Sequence, residues 1–238
     1  MENGTNAFEI KKKILDEYYS TVYEKYLFSG GAQATGISYF EKQIEKFWIE
    51  KTPNSVLEIG GGNGEHLPFL KYIPGQKYVS LDLRESTTTR YTNGLAEDFK
   101  RKLNFVSGNA QNLPFDSESF DRVFSTCLLH HVDDVLAVLL EAKRVTKEGG
   151  EIAFVFPTDP GILNHFAKRM ISYRKMRKAS SIRPQLFYAL EHKNHIFSII
   201  ELIKFVFQED ELRFHYRPFS FIKSWNLNLL VVAKIVKL

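Results

Sequence analysis

The chain has 238 residues, of which 44% are hydrophobic and 25% are charged. This composition predicts one sizeable globular domain, or one domain with an insertion. The first residues contain no apolar segment typical of a secretory signal. The best candidate for a membrane span, Ile196–Phe207, is short and is interrupted by Glu201 and Lys204. The single cysteine, Cys127, excludes an internal disulfide and fits a reducing compartment, so we expect a cytoplasmic protein.

The first fifty residues are predicted to form an N-terminal helical cap, residues 1–50. Ile10, Ile14 and Leu15 recur at helical spacing, and a Gly30–Gly31 break precedes a second helix across Tyr39–Trp48. Aromatic side chains accompany the first helix. Two interpretations are open: they form a lid over a ligand, or they pack an amphipathic helix onto the domain. The aromatic residues in question are Tyr18, Tyr19, Tyr23 and Tyr26.

From Ser55 onwards, short apolar runs alternate with helical stretches. The runs that we interpret as strands are Ser55–Ile59, Tyr78–Leu81, Asn104–Val106, Arg122–Ser125 and Glu151–Phe156. Before the last of these, Asp133 or Asp134 is expected to cap a helix with Val135, Leu139 and Ala142 on its apolar face, and Gly149–Gly150 is expected to end it. The alternation predicts a mostly parallel sheet covered by helices on both faces.

A basic helical insertion is predicted at about 157–207. Between positions 160 and 190 there are seven Lys or Arg and no Asp or Glu. A helical pattern places Ile162, Phe166, Met170 and Tyr173 on one side; the basic residues on the remaining surface are Lys168, Arg169, Arg174, Lys175, Arg177 and Lys178. A second helix is predicted for Ser198–Phe207. Two final strand-like runs, Glu211–Arg217 and Leu227–Lys237, suggest an antiparallel pair that closes the sheet.

A glycine-rich turn follows the first predicted strand. It reads Glu58-x-Gly60-x-Gly62-x-Gly64 and is expected to open a helix whose N-terminus presents free N–H groups. A dinucleotide fingerprint starting at Gly60 needs a small residue where Glu65 stands, and no Gly-Lys-Ser/Thr follows for a phosphate-binding loop. The turn alone therefore leaves a nicotinamide cofactor less favoured, without identifying the ligand.

Five segments in order carry a family resemblance. They are VLEIGGGNG, VSLDL, NFVSGNAQNLPFDSESFDRVFS, STCLLHHVDD and KRVTKEGGEIAFVFP, between Ser55 and Phe156. Together they resemble the class I S-adenosylmethionine-dependent methyltransferases, of the methyltransferase type 11-like kind. The resemblance implies an α/β fold: a Rossmann-like three-layer sandwich over 51–238 with a mostly parallel seven-stranded sheet and an antiparallel C-terminal strand. It also implies an enzyme with S-adenosyl-L-methionine as its cofactor.

The resemblance implies a set of cofactor-binding residues. The glycines pass under the amino-acid end of the cofactor, and Asp82 accepts hydrogen bonds from both ribose hydroxyls. The family commonly has Asp where this chain has Asn109, which accepts from the adenine amino group without a full charge; a turn-stabilising role for Asn109 is the alternative. The complete set is Glu58, Gly60, Gly61, Gly62, Gly64, Asp82, Leu83, Asn109, Ala110, Gln111 and Thr126.

Two histidines, His130 and His131, follow the fourth predicted strand at the edge where open α/β sheets bind ligands. His131 is the candidate catalytic residue, as a base for the acceptor, because the resembling families more often carry the second histidine. The alternative is that it packs under the cofactor or bonds a backbone carbonyl. No metal site is expected, since the histidines lack carboxylates or thiolates at ligand spacing.

The predicted function is methyl transfer to a small-molecule acceptor, anionic or sugar-linked. The alternatives are a lipid or lipid-linked acceptor at the membrane surface and a non-catalytic scaffold. The basic insertion accordingly has three open interpretations: it attracts an anionic substrate, it makes a peripheral membrane contact through 162–178, or it is a solvated helix face. No nucleic-acid partner is expected. The candidate acceptor-side residues are His165, Arg169, Arg183, His192 and His195.

Overall fold

The computed structural model describes residues 6–23, 32–47, 52–84, 92 and 95–238. Its N-terminal part contains α1 (Ala7–Glu17), a π-helical turn and α2 (Ala32–Lys46). The second predicted helix therefore exists and begins earlier than Tyr39. The Gly30–Gly31 break, Tyr26 and Trp48 lie outside the described residues.

A seven-stranded sheet forms the centre of the molecule, with strand order β3-β2-β1-β4-β5-β7-β6. The first five strands are parallel to one another, and β7 is antiparallel to both β5 and β6. This confirms the predicted Rossmann-like fold. The strands are β1 (Ser55–Ile59), β2 (Lys77–Asp82), β3 (Leu103–Ser107), β4 (Phe120–Thr126), β5 (Thr146–Pro157), β6 (Glu211–Arg217) and β7 (Leu230–Val236).

Helices cover both faces of the sheet. Because side chains alternate along a strand, Leu57 and Ile59 of β1 face one side and Val56 faces the other. The first side packs against the helices before β5 and before β6, and the second packs against α2. The remaining helices are α3 (Glu97–Lys100), α4 (Val135–Val145), α5 (Ile162–Ala167), α6 (Tyr173–Ala179), α7 (Pro184–Glu191) and α8 (Ile196–Val206).

The end of α4 differs from the prediction. The helix is capped by Asp134, whose Oδ1 accepts a hydrogen bond from the Ala137 N–H at 3.0 Å, and it ends at Val145. Gly149 and Gly150 lie inside β5 instead of ending the helix. The C-terminal end of the chain pairs with this part of β5: the Gly149 N–H donates to the Lys237 carbonyl at 2.8 Å. Strand pairing therefore extends β5 back to Thr146.

The predicted apolar side of the basic insertion is mostly exposed. Tyr173 is buried, but Ile162 is 69% exposed, Phe166 is 61% exposed and Met170 is also exposed. The helical stretch from α5 to α6, with a π-helical turn between them, instead buries Asn164, Tyr173 and Met176. The wider helical turn rotates the second half of the stretch, so one straight stripe does not describe both halves.

In the described ranges, no helix combines the length and the apolar character needed to cross a bilayer. The most apolar helix, α8, uses Ile196, Ile199 and Ile203 to pack against the sheet.

Candidate active site at the carboxyl edge of the sheet

The glycine loop, Gly60–Gly64, joins β1 to the edge of the sheet at the end of β2. The N–H groups of Gly60 and Gly61 both point to the Leu81 carbonyl, at 2.7 and 3.2 Å. A Cβ on Gly61 would lie 2.0 Å from the Ser80 hydroxyl oxygen, and Gly64 has a φ of +84°. Glycine is therefore required here both for space and for backbone conformation.

The helix predicted after the glycine loop is not formed. Residues 62–66 make turns, and a short 3₁₀ helix, Leu67–Phe69, follows. Pro68 has no N–H, and its ring would clash with the carbonyl four residues earlier in an α-helix. A Pro74–Gly75 turn then ends the segment. The N–H groups of residues 60–64 all donate to acceptors within the chain, so the loop does not present the free N–H groups that were expected.

Asp82, the last residue of β2, lies against the glycine loop. Its Oδ2 accepts a hydrogen bond from the Gly62 N–H at 3.0 Å, and its Oδ1 accepts from the Arg84 N–H at 3.0 Å. Leu83 follows with 75% of its surface exposed. Each carboxylate oxygen has a second lone pair, so the group retains capacity for two further donors.

Asn109, Ala110 and Gln111 form a turn after β3. The Asn109 Oδ1 accepts a hydrogen bond from the Gln111 N–H at 2.9 Å, and the Gln111 Oε1 accepts from the Asp134 N–H at 2.6 Å. Ala110 packs against the core. The turn-stabilising alternative for Asn109 thus describes a bond that is present, while its adenine contact stays a prediction.

Glu58 lies beneath the glycine loop. Its carboxylate accepts hydrogen bonds from the Tyr78 hydroxyl at 2.8 Å and the Ser80 hydroxyl at 3.2 Å. Burial raises the pKa of Glu58 to about 7, against the opposing charge of His66. The side chain therefore supports the loop from the α2 side of the sheet; direct contact with a cofactor stays a prediction.

A buried ionic network, which was not predicted from the sequence, fixes the segment after the glycine loop. His66 is fully buried; its Nδ1 lies 3.0 Å from Glu41 Oε2 and its Nε2 lies 3.1 Å from Glu45 Oε1. Burial favours the neutral ring, but the hydrogen bonds and charges of the two carboxylates outweigh it and raise the pKa of His66 to about 10. The spacing of Glu41 and Glu45, four residues apart on α2, is the signal that was available.

The end of β4 contributes a buried polar group. Thr126 is buried, and its Oγ1 has no hydrogen-bond partner among the described residues. Cys127 follows with a φ of +57°, and burial raises the pKa of its thiol. Because β1 and β4 are neighbours whose connections leave in opposite directions, their carboxyl ends define the ligand-binding crevice of such sheets.

Three histidine side chains meet beside this crevice. The ring centroid of His131 lies 4.0 Å from that of His130 and 5.1 Å from that of His192, and the His130 and His192 rings are 4.4 Å apart. The His131 Nδ1 lies 3.1 Å from the Glu191 carbonyl oxygen. Burial lowers the pKa of all three rings, that of His192 to about 4. We refer to these residues as the histidine cluster.

Asp159 supports the histidine cluster and was not identified from the sequence. Its Oδ2 lies 2.7 Å from the His192 Nδ1 and also pairs with the Lys168 ammonium. Its position just after β5, at the same edge as His130 and His131, was the available signal. The other candidate acceptor-side residues, His165, Arg169, Arg183 and His195, are exposed and are not part of this cluster.

The N-terminal segment also reaches this edge. Tyr18 stacks on Phe187 of α7 with ring centroids 3.5 Å apart, and the Tyr19 hydroxyl donates to the Glu191 carboxylate. The Arg84 guanidinium lies over the Tyr19 ring, 4.1 Å from its centroid. Tyr19 therefore bridges the end of β2 and the end of α7.

The sheet order, the glycine loop and the carboxylate at the end of β2 define a cofactor-binding α/β domain. A family model described as a methyltransferase domain matches residues 57–154. This part of the chain is therefore a class I S-adenosylmethionine-dependent methyltransferase domain, and S-adenosyl-L-methionine is the cofactor of that family. The glycine cradle, Asp82 and the unpartnered Thr126 hydroxyl fit a ligand with amino, hydroxyl and carboxylate groups.

Curated relatives agree with this family. The chain is 36% identical over 108 residues to a demethylmenaquinone methyltransferase of Lactococcus lactis, covering 44% of this chain and 43% of that protein. It is 26% identical over 222 residues to a ubiquinone/menaquinone biosynthesis C-methyltransferase of Cereibacter sphaeroides, covering 90% and 86%. For several of the curated relatives that it matches, the chain spans only about half of their length.

Solved structures share the fold. An S-adenosylmethionine-dependent methyltransferase of Thermotoga maritima superimposes with a TM-score of 0.59 at 20% identity, covering 95% of this chain and 99% of that one. A protein of Pyrococcus horikoshii gives a TM-score of 0.63 at 18% identity, covering 93% and 99%. At these identities the likeness concerns the fold alone.

Proposed function

We propose that this protein transfers the methyl group of S-adenosyl-L-methionine to a small-molecule acceptor in the cytoplasm. The observation that carries the proposal is the Asp82 carboxylate held against the glycine loop by the Gly62 N–H, next to the crevice between the carboxyl ends of β1 and β4. The cofactor supplies the methyl electrophile. The protein must then bind it, align the acceptor and exclude water.

In this proposal the loop glycines contact the amino-acid end of the cofactor and Asp82 accepts the ribose hydroxyls. Leu83 covers the adenine ring from its exposed position, with the turn of Asn109, Ala110 and Gln111 opposite. Thr126 offers its unpartnered hydroxyl from the end of β4, and Glu58 supports the loop. The first fifty residues act as the cap, since Tyr18 and Tyr19 pack on α7 and on Arg84.

His131 is the proposed catalytic residue. With its Nδ1–H donating to the Glu191 carbonyl, the ring has the tautomer in which Nε2 carries a lone pair. Burial lowers the pKa of His131, so the ring is neutral at physiological pH and that lone pair is available to an acceptor proton.

The Asp82→Ala variant tests the proposed cofactor site. It removes both acceptors for the ribose hydroxyls, and one hydrogen bond to a charged group contributes about 1.5–3 kcal/mol. We expect the dissociation constant for S-adenosylmethionine, measured by calorimetry, to rise about 10- to 100-fold. Asp82→Asn keeps the shape and one acceptor, so its loss should be smaller.

Asp116→Ala is the matched control, because Asp116 is an exposed carboxylate on the loop before β4. Circular dichroism must show that all variants are folded. An unchanged affinity in folded Asp82→Ala, or no measurable affinity in the wild type, contradicts the proposal. Release of S-adenosylhomocysteine during a screen of candidate acceptors then identifies the substrate.

A second candidate function is methylation of an apolar acceptor at a membrane surface. Ile162 and Phe166 of α5 expose most of their surface, and Arg169, Arg174 and Arg177 are exposed on the same helical stretch. Exposed apolar side chains beside basic ones suit the interface of an anionic bilayer. The relatives named for demethylmenaquinone and ubiquinone/menaquinone also have acceptors of quinone type by name.

Vesicle sedimentation tests this second candidate. Each Lys or Arg near an anionic surface contributes about 1 kcal/mol, so the triple variant Arg174→Gln, Arg177→Gln, Lys178→Gln should bind phosphatidylserine-containing vesicles about 100-fold more weakly than the wild type. The matched control replaces Lys71, Lys77 and Lys102, which are exposed elsewhere on the surface, by glutamine. The membrane function is excluded if both triple variants bind equally well, or if binding of the wild type does not change with salt concentration.

A further inference from the structure

We propose that His130, His131 and His192 form a binding site for a divalent transition metal of the zinc class. One ring nitrogen from each of the three side chains lies within 4.8 Å of the other two. Three neutral imidazoles are a ligand set that zinc accepts, with a fourth tetrahedral position left for water or a substrate oxygen. Metal binding at these three side chains goes beyond the proposed methyl transfer.

The hydrogen bonds around the cluster have the pattern of an outer metal shell. Metal-bound histidines typically donate their second N–H to a carbonyl or carboxylate, which fixes the ring and its tautomer. His131 has the Glu191 carbonyl at 3.1 Å from Nδ1, and His192 has the Asp159 carboxylate at 2.7 Å from Nδ1. In both rings this leaves the Nε2 lone pair for a metal.

His130 provides the third ligand. It is buried, and its Nδ1 has no hydrogen-bond partner among the described residues. A buried ring nitrogen without a partner is unfavourable in a protein interior, and a metal ion would satisfy it. The His130 ring is also the closest neighbour of both other rings, at 4.0 and 4.4 Å between centroids.

The backbone holds the two parts of the cluster together. The Lys193 N–H donates to the His130 carbonyl at 2.8 Å, and the Asn194 side chain donates to the carbonyls of Leu129 and Val132 at 3.1 and 2.7 Å. The chain around His192 is therefore fixed to the turn that carries His130 and His131. The ring nitrogens lie within 4.8 Å of one another, and those around a tetrahedral zinc are about 3.3 Å apart, so metal binding would draw the rings closer together.

Charged side chains near the cluster are engaged in pairs. Asp159 pairs with Lys168, and the Glu191 carboxylate accepts a hydrogen bond from the Tyr19 hydroxyl. Lys193 is paired with Asp133. Coordination would use the same Nε2 lone pair as proton acceptance by His131, so in the metal-bound protein the ion, and not His131, would activate an acceptor oxygen.

Cobalt(II) titration of the full chain, stripped with a chelator and free of any affinity tag, tests the site without S-adenosylmethionine. We expect one cobalt per chain with the intense visible absorption of four-coordinate cobalt, displaced by zinc. His192→Ala should weaken binding more than about 100-fold, beyond the 10- to 100-fold loss expected for the outer-shell variant Asp159→Asn. His165→Ala, a matched exposed histidine, should bind as the wild type does.

Absence of four-coordinate cobalt absorption in the wild type overturns the proposal, and so does unchanged binding in folded His192→Ala. If His192→Ala fails to fold by circular dichroism, Asp159→Asn carries the test, and unchanged affinity there is the contrary result. Because cobalt is added without the methyl donor, the outcome is independent of whether the cofactor proposal holds.

Discussion

Replacing His131 by asparagine is expected to reduce kcat for methyl transfer about 100- to 10,000-fold, the range for loss of a general base. The asparagine amide can still donate to the Glu191 carbonyl, as the His131 Nδ1 does at 3.1 Å, so the local fold should persist. It has no lone pair at the position of Nε2. The loss should therefore appear in turnover, measured as S-adenosylhomocysteine release, with the cofactor dissociation constant nearly unchanged.

His215→Asn is the control. His215 lies on the far edge strand, β6, where its ring stacks on that of Phe47. A variant at His131 that loses cofactor affinity while keeping kcat would support the alternative in which the ring packs under the cofactor. The expected loss of turnover follows from either use of the Nε2 lone pair, as proton acceptor or as metal ligand. Cobalt binding separates those two uses.

The parallel sheet could be predicted because its strands are covered on both faces. Such strands are short, continuous apolar runs, and the run Ser55–Ile59 has the same ends as β1. The predictions of the helices were less accurate. A single proline, Pro68, replaces the helix after the glycine loop by a 3₁₀ turn, and the pairing of Gly149 with the C-terminal end extends β5 where a helix end was expected. Pro68 is visible in the sequence, whereas the pairing of Gly149 depends on a partner far along the chain, Lys237.

The candidate site also contains residues that could be predicted from the sequence and residues that could not. The glycine loop and Asp82 are recognisable because each follows directly from a strand end. The histidine cluster joins His131 to His192, which lies in another element, and no periodicity connects positions so far apart. The absence of a metal site was predicted only from the spacing of residues along the chain, and that spacing does not show which side chains meet in the fold. Asp159, which contacts the His192 ring, has only its place at the carboxyl edge in common with the predicted site residues.

Replacing His66 by alanine is expected to lower the free energy of unfolding by about 3–5 kcal/mol near pH 6.5, the cost of removing one partner from a buried ionic network. His66 is fully buried between Glu41 and Glu45, and both carboxylates would lose their cationic partner. The network also connects α2 to the chain just after the glycine loop. We therefore expect the variant to bind S-adenosylmethionine more weakly at temperatures where it is still folded.

The pH dependence gives this prediction its sign. The pKa of His66 is about 10 in the folded protein and 6.5 as a reference for the unfolded chain. Its stabilisation is therefore complete below pH 6.5 and is lost as the pH rises through 10. Urea denaturation from pH 6.5 to 10 should show the free energies of unfolding of the wild type and His66→Ala converging. The comparison is cleanest in a Glu58→Gln background, because Glu58 lies nearby and its pKa of about 7 falls in this range. His165→Ala should show no such convergence, since an exposed histidine has no network to lose. A constant difference across this range would mean that His66 contributes through packing of its ring and not through its charge.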